Sequence, residues 1–232
     1  MTISIICKRA AALAAGLLLA ASVHADPLDA LTNKEAGSGL KAALEAGSSA
    51  AVAKLGAEGG FLNNEQVRIK LPRALEKARP LLQMAGRAEQ LDELELAMNR
   101  AAEQAVPMAK PLLVNAVKSM TVEDAKAILT GGETSVTDFF KQKTSAPLAA
   151  KFKPIVKGVT DRSKLSAKFN GAMAHATKFG LATEEQATVE AYVTQRALDG
   201  LYLMIGEEEK KIRENPISYG SKAIAKVFGL LK

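Results

Sequence analysis

The chain reads as an all-α protein, a single non-repeating bundle of about eight helices with one long helix near the carboxyl end. Three observations predict this. Ala and Leu are abundant while aromatic residues make up only 4% of the chain, a composition that suits helix packing rather than sheets. From Thr183 to Asn215 the side chains of Val189, Val193, Ala197, Leu201, Ile205 and Ile212 recur mostly four residues apart, with Tyr192 and Met204 beside them, which is one apolar face of a helix. Only one stretch, Val67-Arg68-Ile69-Lys70-Leu71, alternates apolar and polar as a strand does.

At the amino end, Lys8 and Arg9 precede an apolar run from Ala10 to Ala21, and Val23-His24-Ala25 has the small-residue pattern of a cleavage site. The run is too short to cross about 30 Å of hydrocarbon. Residues 1–25 are therefore expected to be a signal peptide cut after Ala25, leaving a mature chain without a transmembrane span in the periplasm or outside the cell. Cys7 lies ahead of the run, not at its end, so it does not read as a lipid anchor. Cleavage removes this one cysteine together with His24, so the mature chain is cysteine-free and keeps a single imidazole, His175. Disulfides then contribute nothing and burial must hold the fold.

Residues 26–60 read as a weak Gly/Ala-rich helix with Leu40, Leu44, Ala51, Val52 and Leu55 at helical spacing; each interior glycine costs about 1 kcal/mol relative to alanine. Residues 61–232 form the helical domain. Its first piece, Phe61 to Pro72, is expected to be an extended connector with its apolar side on helices. Helices are then predicted at 73–85, 88–106, 107–119, 121–129, 135–143, 147–159, 163–179, 183–215 and 218–231. Thr121 with Asp124 and Ser135 with Asp138 look like amino-terminal caps; Pro107, Pro111 and Pro147 suit first turns, and Thr183 with Gln186 reads as a capping box. Asn215-Pro216 ends the long helix. The similar stretches 78–85 and 109–116 read as two helix starts solved alike, not as a solenoid repeat.

Charge is uneven. The mature chain holds 29 basic and 25 acidic residues, a net charge of +4, and residues 139–180 hold 9 basic residues against Asp161 alone. The long helix that follows is acidic. Either the two neutralise each other within the fold, or the basic segment 141–178 is a free face, with Lys151, Lys153, Lys157 and Lys164 as its contact residues. Phe139, Phe140, Phe152, Phe169 and Phe179 lie in the same segment, and basic residues among aromatics are a nucleic-acid footprint. Export argues against nucleic acid, and Phe152, Ile155, Val156 and Val159 form a stripe more simply read as core. The expected partners are an anionic envelope component or an envelope protein.

The sharpest polar cluster is Asn99, Arg100 and Glu103, with Glu95 one turn earlier. Helical spacing stacks Glu95, Asn99 and Glu103 on one face. The cluster reads either as a binding pocket or carboxylate acid/base pair, or as a hydrogen-bonded network that fixes helix register. No metal-ligand spacing, hydrolase nucleophile motif or phosphate loop is present, so the sequence points to no metal and no cofactor, and a non-catalytic protein is expected. A carrier of a small apolar ligand between Ala- and Gly-rich helix faces is the alternative, and a carboxylate-based enzyme at Glu95 and Glu103 a further one.

Several pieces together resemble a known family. They are Phe61-Leu62 with Ile69-Lys70-Leu71-Pro72; residues 98–105 with Pro107; Asp124-Ala125 with Ile128-Leu129; Phe139-Phe140; residues 152–156; Tyr192-Val193 with residues 197–201; and Glu207-Glu208 through Ile212-Arg213-Glu214-Asn215-Pro216. In this the chain resembles the bacterial exported family catalogued as domain of unknown function 4197. The resemblance implies export, an all-helical fold and one domain, and it assigns no catalytic residue. This chain lacks the cleavage-site cysteine that lipoprotein-like members carry.

Overall fold

The computed structural model describes residues 33–132, 134–162, 166–171, 187–219 and 221–229. Among them are eight α-helices and no strand: α1 (Asn33–Gly56), α2 (Arg73–Met84), α3 (Glu89–Ala105), α4 (Lys110–Lys118), α5 (Val122–Thr130), α6 (Ser135–Thr160), α7 (Val189–Glu214) and α8 (Lys222–Gly229). Residues 166–171 are also helical. Short 3-10 turns at Val106–Ala109 and Pro216–Tyr219 lead into α4 and α8. The all-α expectation is met. The expected signal peptide, Lys164, His175 and Phe179 lie outside the described residues.

The long helix is present but starts later than its spacing implied. Thr188 accepts from the Ala191 amide at 3.0 Å and caps α7, while residues 187 and 188 are bends; the Thr183 and Gln186 pair lies outside the described residues. With 26 residues α7 is about 39 Å long at 1.5 Å per residue. It ends at Glu214, as Pro216 requires. Its predicted apolar stripe is buried without exception, from Val189 and Val193 at 0% exposure to Ile212 at 1%.

α7 lies along α6 on one side and α1 on the other, α3 packs on α6, and α1 also meets α4 and α8. The weak helix of the sequence is thus a central element: Leu40, Ala43, Leu44, Ala51, Val52 and Leu55 all enter the core. Its glycines suit this position, because at Gly47 an added Cβ would stand 3.4 Å from Ile212 Cδ1. Helical propensity is poor here, and burial of the apolar face overrides it.

Four boundaries differ from expectation, each for a local reason. Residues 135–143 and 147–159 form one helix, α6, with Pro147 and Pro154 inside it. Both prolines are exposed, and so are Lys143 and Ala150, whose carbonyls lose their amide donors, while buried Leu148, Phe152 and Val156 hold the helix to the core. Ser135 is the first residue of α6 and does not cap it; its hydroxyl donates to the Ile128 carbonyl at 3.1 Å. Pro80 lies inside α2 whereas Pro111 lies in the first turn of α4, so the two similar stretches are not equivalent starts. Ser218 belongs to the 3-10 turn, and the last helix begins at Lys222. The Thr121 box is as expected: Thr121 accepts from the Asp124 amide at 3.1 Å and Asp124 accepts from the Thr121 amide at 3.0 Å.

Candidate functional site

The polar cluster on α3 is built against the connector between α1 and α2. Val67, Ile69 and Leu71 are buried while Arg68 and Lys70 face out, so the alternation found in the sequence is real, but without a strand partner. Buried backbone in such a segment needs hydrogen bonds from elsewhere. Asn99, fully buried, supplies them: its Oδ1 accepts from the Ile69 amide at 2.9 Å and its Nδ2 donates to the Ile69 carbonyl at 2.9 Å and to the Glu95 carbonyl at 2.8 Å. One turn on, Glu103 Oε1 accepts from the amides of Phe61 and Leu62 at 3.1 and 3.2 Å. Arg100 pairs with Glu103 at 2.6 Å and with Glu58 at 2.9 Å, and Arg68 pairs with Glu95 at 2.8 Å. Hydrogen bonds to these carboxylates push the Arg100 guanidinium further up, with Glu103 the main cause. The structure therefore brings Glu95, Asn99, Arg100 and Glu103 together as the spacing implied, and their polar atoms hold the connector in place.

Gly200 completes this junction. A Cβ there would come within 2.9 Å of Phe61 Cε1 and 3.2 Å of Val67 Cβ, so the connector rests directly on the α7 backbone. Asp199, beside it, accepts from Gln195 at 2.9 Å and lies 3.5 Å from Arg196 on its own helix.

The basic segment presents its cations on the outside of α6. Lys151, Lys153 and Lys157 are exposed, as are the small residues Ala146, Ala150 and Gly158. Lys157 donates to Asp161 at 2.5 Å, which raises its pKa, and Lys143 lies 3.5 Å from Asp124. Lys151 and Lys153 form no ion pair among the described residues. Phe139, Phe140, Phe152 and Phe169 are all buried, so the aromatics of this segment among the described residues are core.

The acidic residues of α7 find other partners. Glu208 pairs with Lys54 of α1 at 2.5 Å and with Lys211 at 2.9 Å, and Glu209 with Arg213 at 2.5 Å. Glu190 is buried and accepts from Asn170 at 3.0 Å, while Asn170 Oδ1 accepts from the Val189 amide at 2.8 Å and so fastens residues 166–171 to the start of α7. No ion pair among the described residues joins a lysine of α6 to a carboxylate of α7. The charge of Glu190 on α7 nevertheless adds to the raised pKa of Lys157 on α6.

Between the amino-terminal part of α6 and the carboxyl-terminal half of α7 runs an open cleft of about 900 Å³. Tyr202 locks the two helices beneath it: its hydroxyl lies 2.9 Å from Thr144 Oγ1 and 3.2 Å from Ser145 Oγ, and burial pushes its pKa up. Thr137 donates to the Tyr202 carbonyl at 3.4 Å. Leu203 and Gly206 are part of the cleft lining, with Lys141 from α6 and Glu207 and Lys210 from α7. Sequence reasoning missed this cleft, although Leu203 stands off the apolar stripe of α7 and was the available signal. By contrast, a void between α1, α6 and α7 measures only about 10 Å³, roughly one water at most.

Among the described residues no group of three or more His, Cys, Asp or Glu side chains is placed to hold a metal ion, and no helix is long and apolar enough to cross a membrane. The profile of a family described as protein of unknown function (DUF4197) matches residues 30–229. Comparison with curated proteins and with solved structures gave no match.

Proposed function

The chain belongs to the DUF4197 family, proteins of unknown function, and we propose that it is an exported, non-catalytic binding module whose contact is the basic outer face of α6. One observation carries this reading. Lys151 and Lys153 are exposed on a face of small side chains and no ion pair among the described residues takes them up. Lys157 is exposed on the same helix, and Lys164 is the fourth lysine of the proposed contact. Cleavage after Ala25 and release into the periplasm belong to the same reading, since the envelope supplies anionic surfaces that lysines attract.

The test is sedimentation of the chain from Asp26 onward with vesicles rich in anionic lipid. Binding should weaken steeply with salt, because the Debye length falls from about 30 Å at 0.01 M to about 8 Å at 0.15 M. Each lysine near such a surface contributes about 1 kcal/mol, so changing Lys151, Lys153, Lys157 and Lys164 together to Gln weakens binding by up to about a thousandfold. Lys157 contributes less than the others because Asp161 already holds it. Binding that is absent at low salt, or that the fourfold variant leaves unmoved, refutes the proposal.

A further inference from the structure

We infer that α2 is a membrane-contact helix, which lays Leu81 and Met84 into the boundary between headgroups and acyl chains of a bilayer rich in anionic lipid. This does not depend on the basic face of α6. α2 joins the rest of the chain along one side: Leu75 and Leu82 meet the core, and Arg79 pairs with Asp92 of α3 at 2.9 Å. At about 100° per residue, Leu81 and Met84 lie about 200° and about 140° around the helix from Arg79. They point away from α3 and are 66% and 79% exposed. The helix end that carries them is closed: Gly86, with a φ of 65°, turns the chain, and the Arg87 amide donates back to the Leu82 carbonyl at 2.7 Å.

What covers this side follows from its charges. Arg73 and Lys77 fall at about 120° and about 160° from Arg79 in the same sense, beside Leu81 and Met84. Both are exposed, and neither forms an ion pair among the described residues. The one acid of α2, Glu76, is taken up by Arg79 at 3.1 Å. The acids that follow in sequence, Glu89, Asp92 and Glu93, belong to α3, the helix on the other side of α2 from Leu81 and Met84. Exposed apolar side chains flanked by unpaired cations suit a layer of acyl chains under anionic headgroups. A second copy suits this side less, because an isologous contact through it sets Arg73 and Lys77 against their own equivalents. Two apolar side chains also supply little of the roughly 1,200 to 2,000 Å² that a stable protein interface buries.

The sequence holds no tryptophan, so Met84→Trp in the chain from Asp26 onward places a single indole on this side of α2. With vesicles of phosphatidylglycerol and phosphatidylcholine its emission should shift to the blue, and lipids brominated on the acyl chains should quench it. Leu81→Asp in that background, at an exposed position, should abolish the shift without changing the far-ultraviolet circular dichroism. Arg73→Gln with Lys77→Gln should weaken vesicle binding about thirtyfold at low salt. Lys151→Gln with Lys153→Gln, which weakens the α6 face, should leave the shift at saturating vesicle in place, so the two proposals fail separately. The inference is overturned by emission that vesicles neither shift nor quench, by a shift that survives Leu81→Asp, by indifference to the Arg73 and Lys77 changes, or by a shift that appears without lipid as the protein is concentrated, the mark of a second copy.

Discussion

Replacing Asn99 with alanine should destabilise the chain by about 4 kcal/mol. The substitution leaves the amide and the carbonyl of Ile69 without partners, and Ile69 is only 2% exposed. Each buried group so orphaned costs about 1 to 3 kcal/mol, giving a range of about 2 to 6 kcal/mol before any cavity effect. That is a large part of the roughly 5 to 15 kcal/mol that holds a typical domain together. Asn99→Asp provides the finer probe. It keeps the acceptor for the Ile69 amide but sets an oxygen against the carbonyls of Ile69 and Glu95 where Nδ2 now donates. A protonated aspartic acid can still donate to one of them, whereas the charged form has no such donor and lies fully buried. The pKa of the new aspartate is therefore raised in the folded state above its unfolded value of about 3.9. A raised pKa means stability present below the unfolded value and lost as pH rises through the folded one. Urea denaturation followed by circular dichroism, each variant compared with the parent at the same pH, measures both effects. Asn99→Ala costing less than about 1 kcal/mol, or an Asn99→Asp deficit that stays flat or shrinks between about pH 4 and about pH 7, would refute the reasoning.

Three further outcomes follow from contacts described above. Gly200→Ala should gain about 1 kcal/mol in helix propensity yet lose about 1 to 3 kcal/mol to overpacking, because its Cβ meets Phe61 and Val67 at 2.9 and 3.2 Å; a variant more stable than the parent in urea would contradict the close seating of the connector. Thr121→Ala should cost about 1 kcal/mol through loss of the cap on α5. Hydrogen bonding from the Thr121 amide, with Lys143 nearby, holds the Asp124 carboxyl below its ordinary range, so its contribution is full above the unfolded pKa and is lost as pH falls through the folded one. Asp124→Asn should accordingly flatten the acid limb of the stability curve, and an unchanged limb counts against that assignment.

Much of the helical order was legible because it depends on local chemistry. Thr121 and Asp124 lie three residues apart and cap each other, and the stripe from Val189 to Ile212 needs only helical periodicity to be seen. The inward side of Val67, Ile69 and Leu71 was legible too, since alternation fixes which residues share a side. What escaped was set by neighbours distant in sequence. Pro147 does not break α6 because it lies at an exposed position while Leu148 and Phe152 are gripped by the core. α1 looked weak because its stabilising contacts lie on α7 and α8, far along the chain. The Asn99 cluster was visible as a cluster, but its partners, the Phe61, Leu62 and Ile69 backbone groups, carry no side-chain signature. The cleft arises from two helices in apposition, and only Leu203, off the α7 stripe, marked it.

The seating of α1 on α7 has a consequence for the order in which the chain assembles. Lys54 and Glu208, which join these helices, are 154 residues apart in sequence. A chain emerging from its amino end exposes α1 long before its main partner exists, and α1 is too glycine-rich to persist as an isolated helix. The α3 clamp on residues 61–69 spans far shorter loops, of 30 to 42 residues, and closes at lower entropic cost. Folding should thus begin in the middle of the sequence, with the amino-terminal helix docking last, after residues 189–214 have emerged.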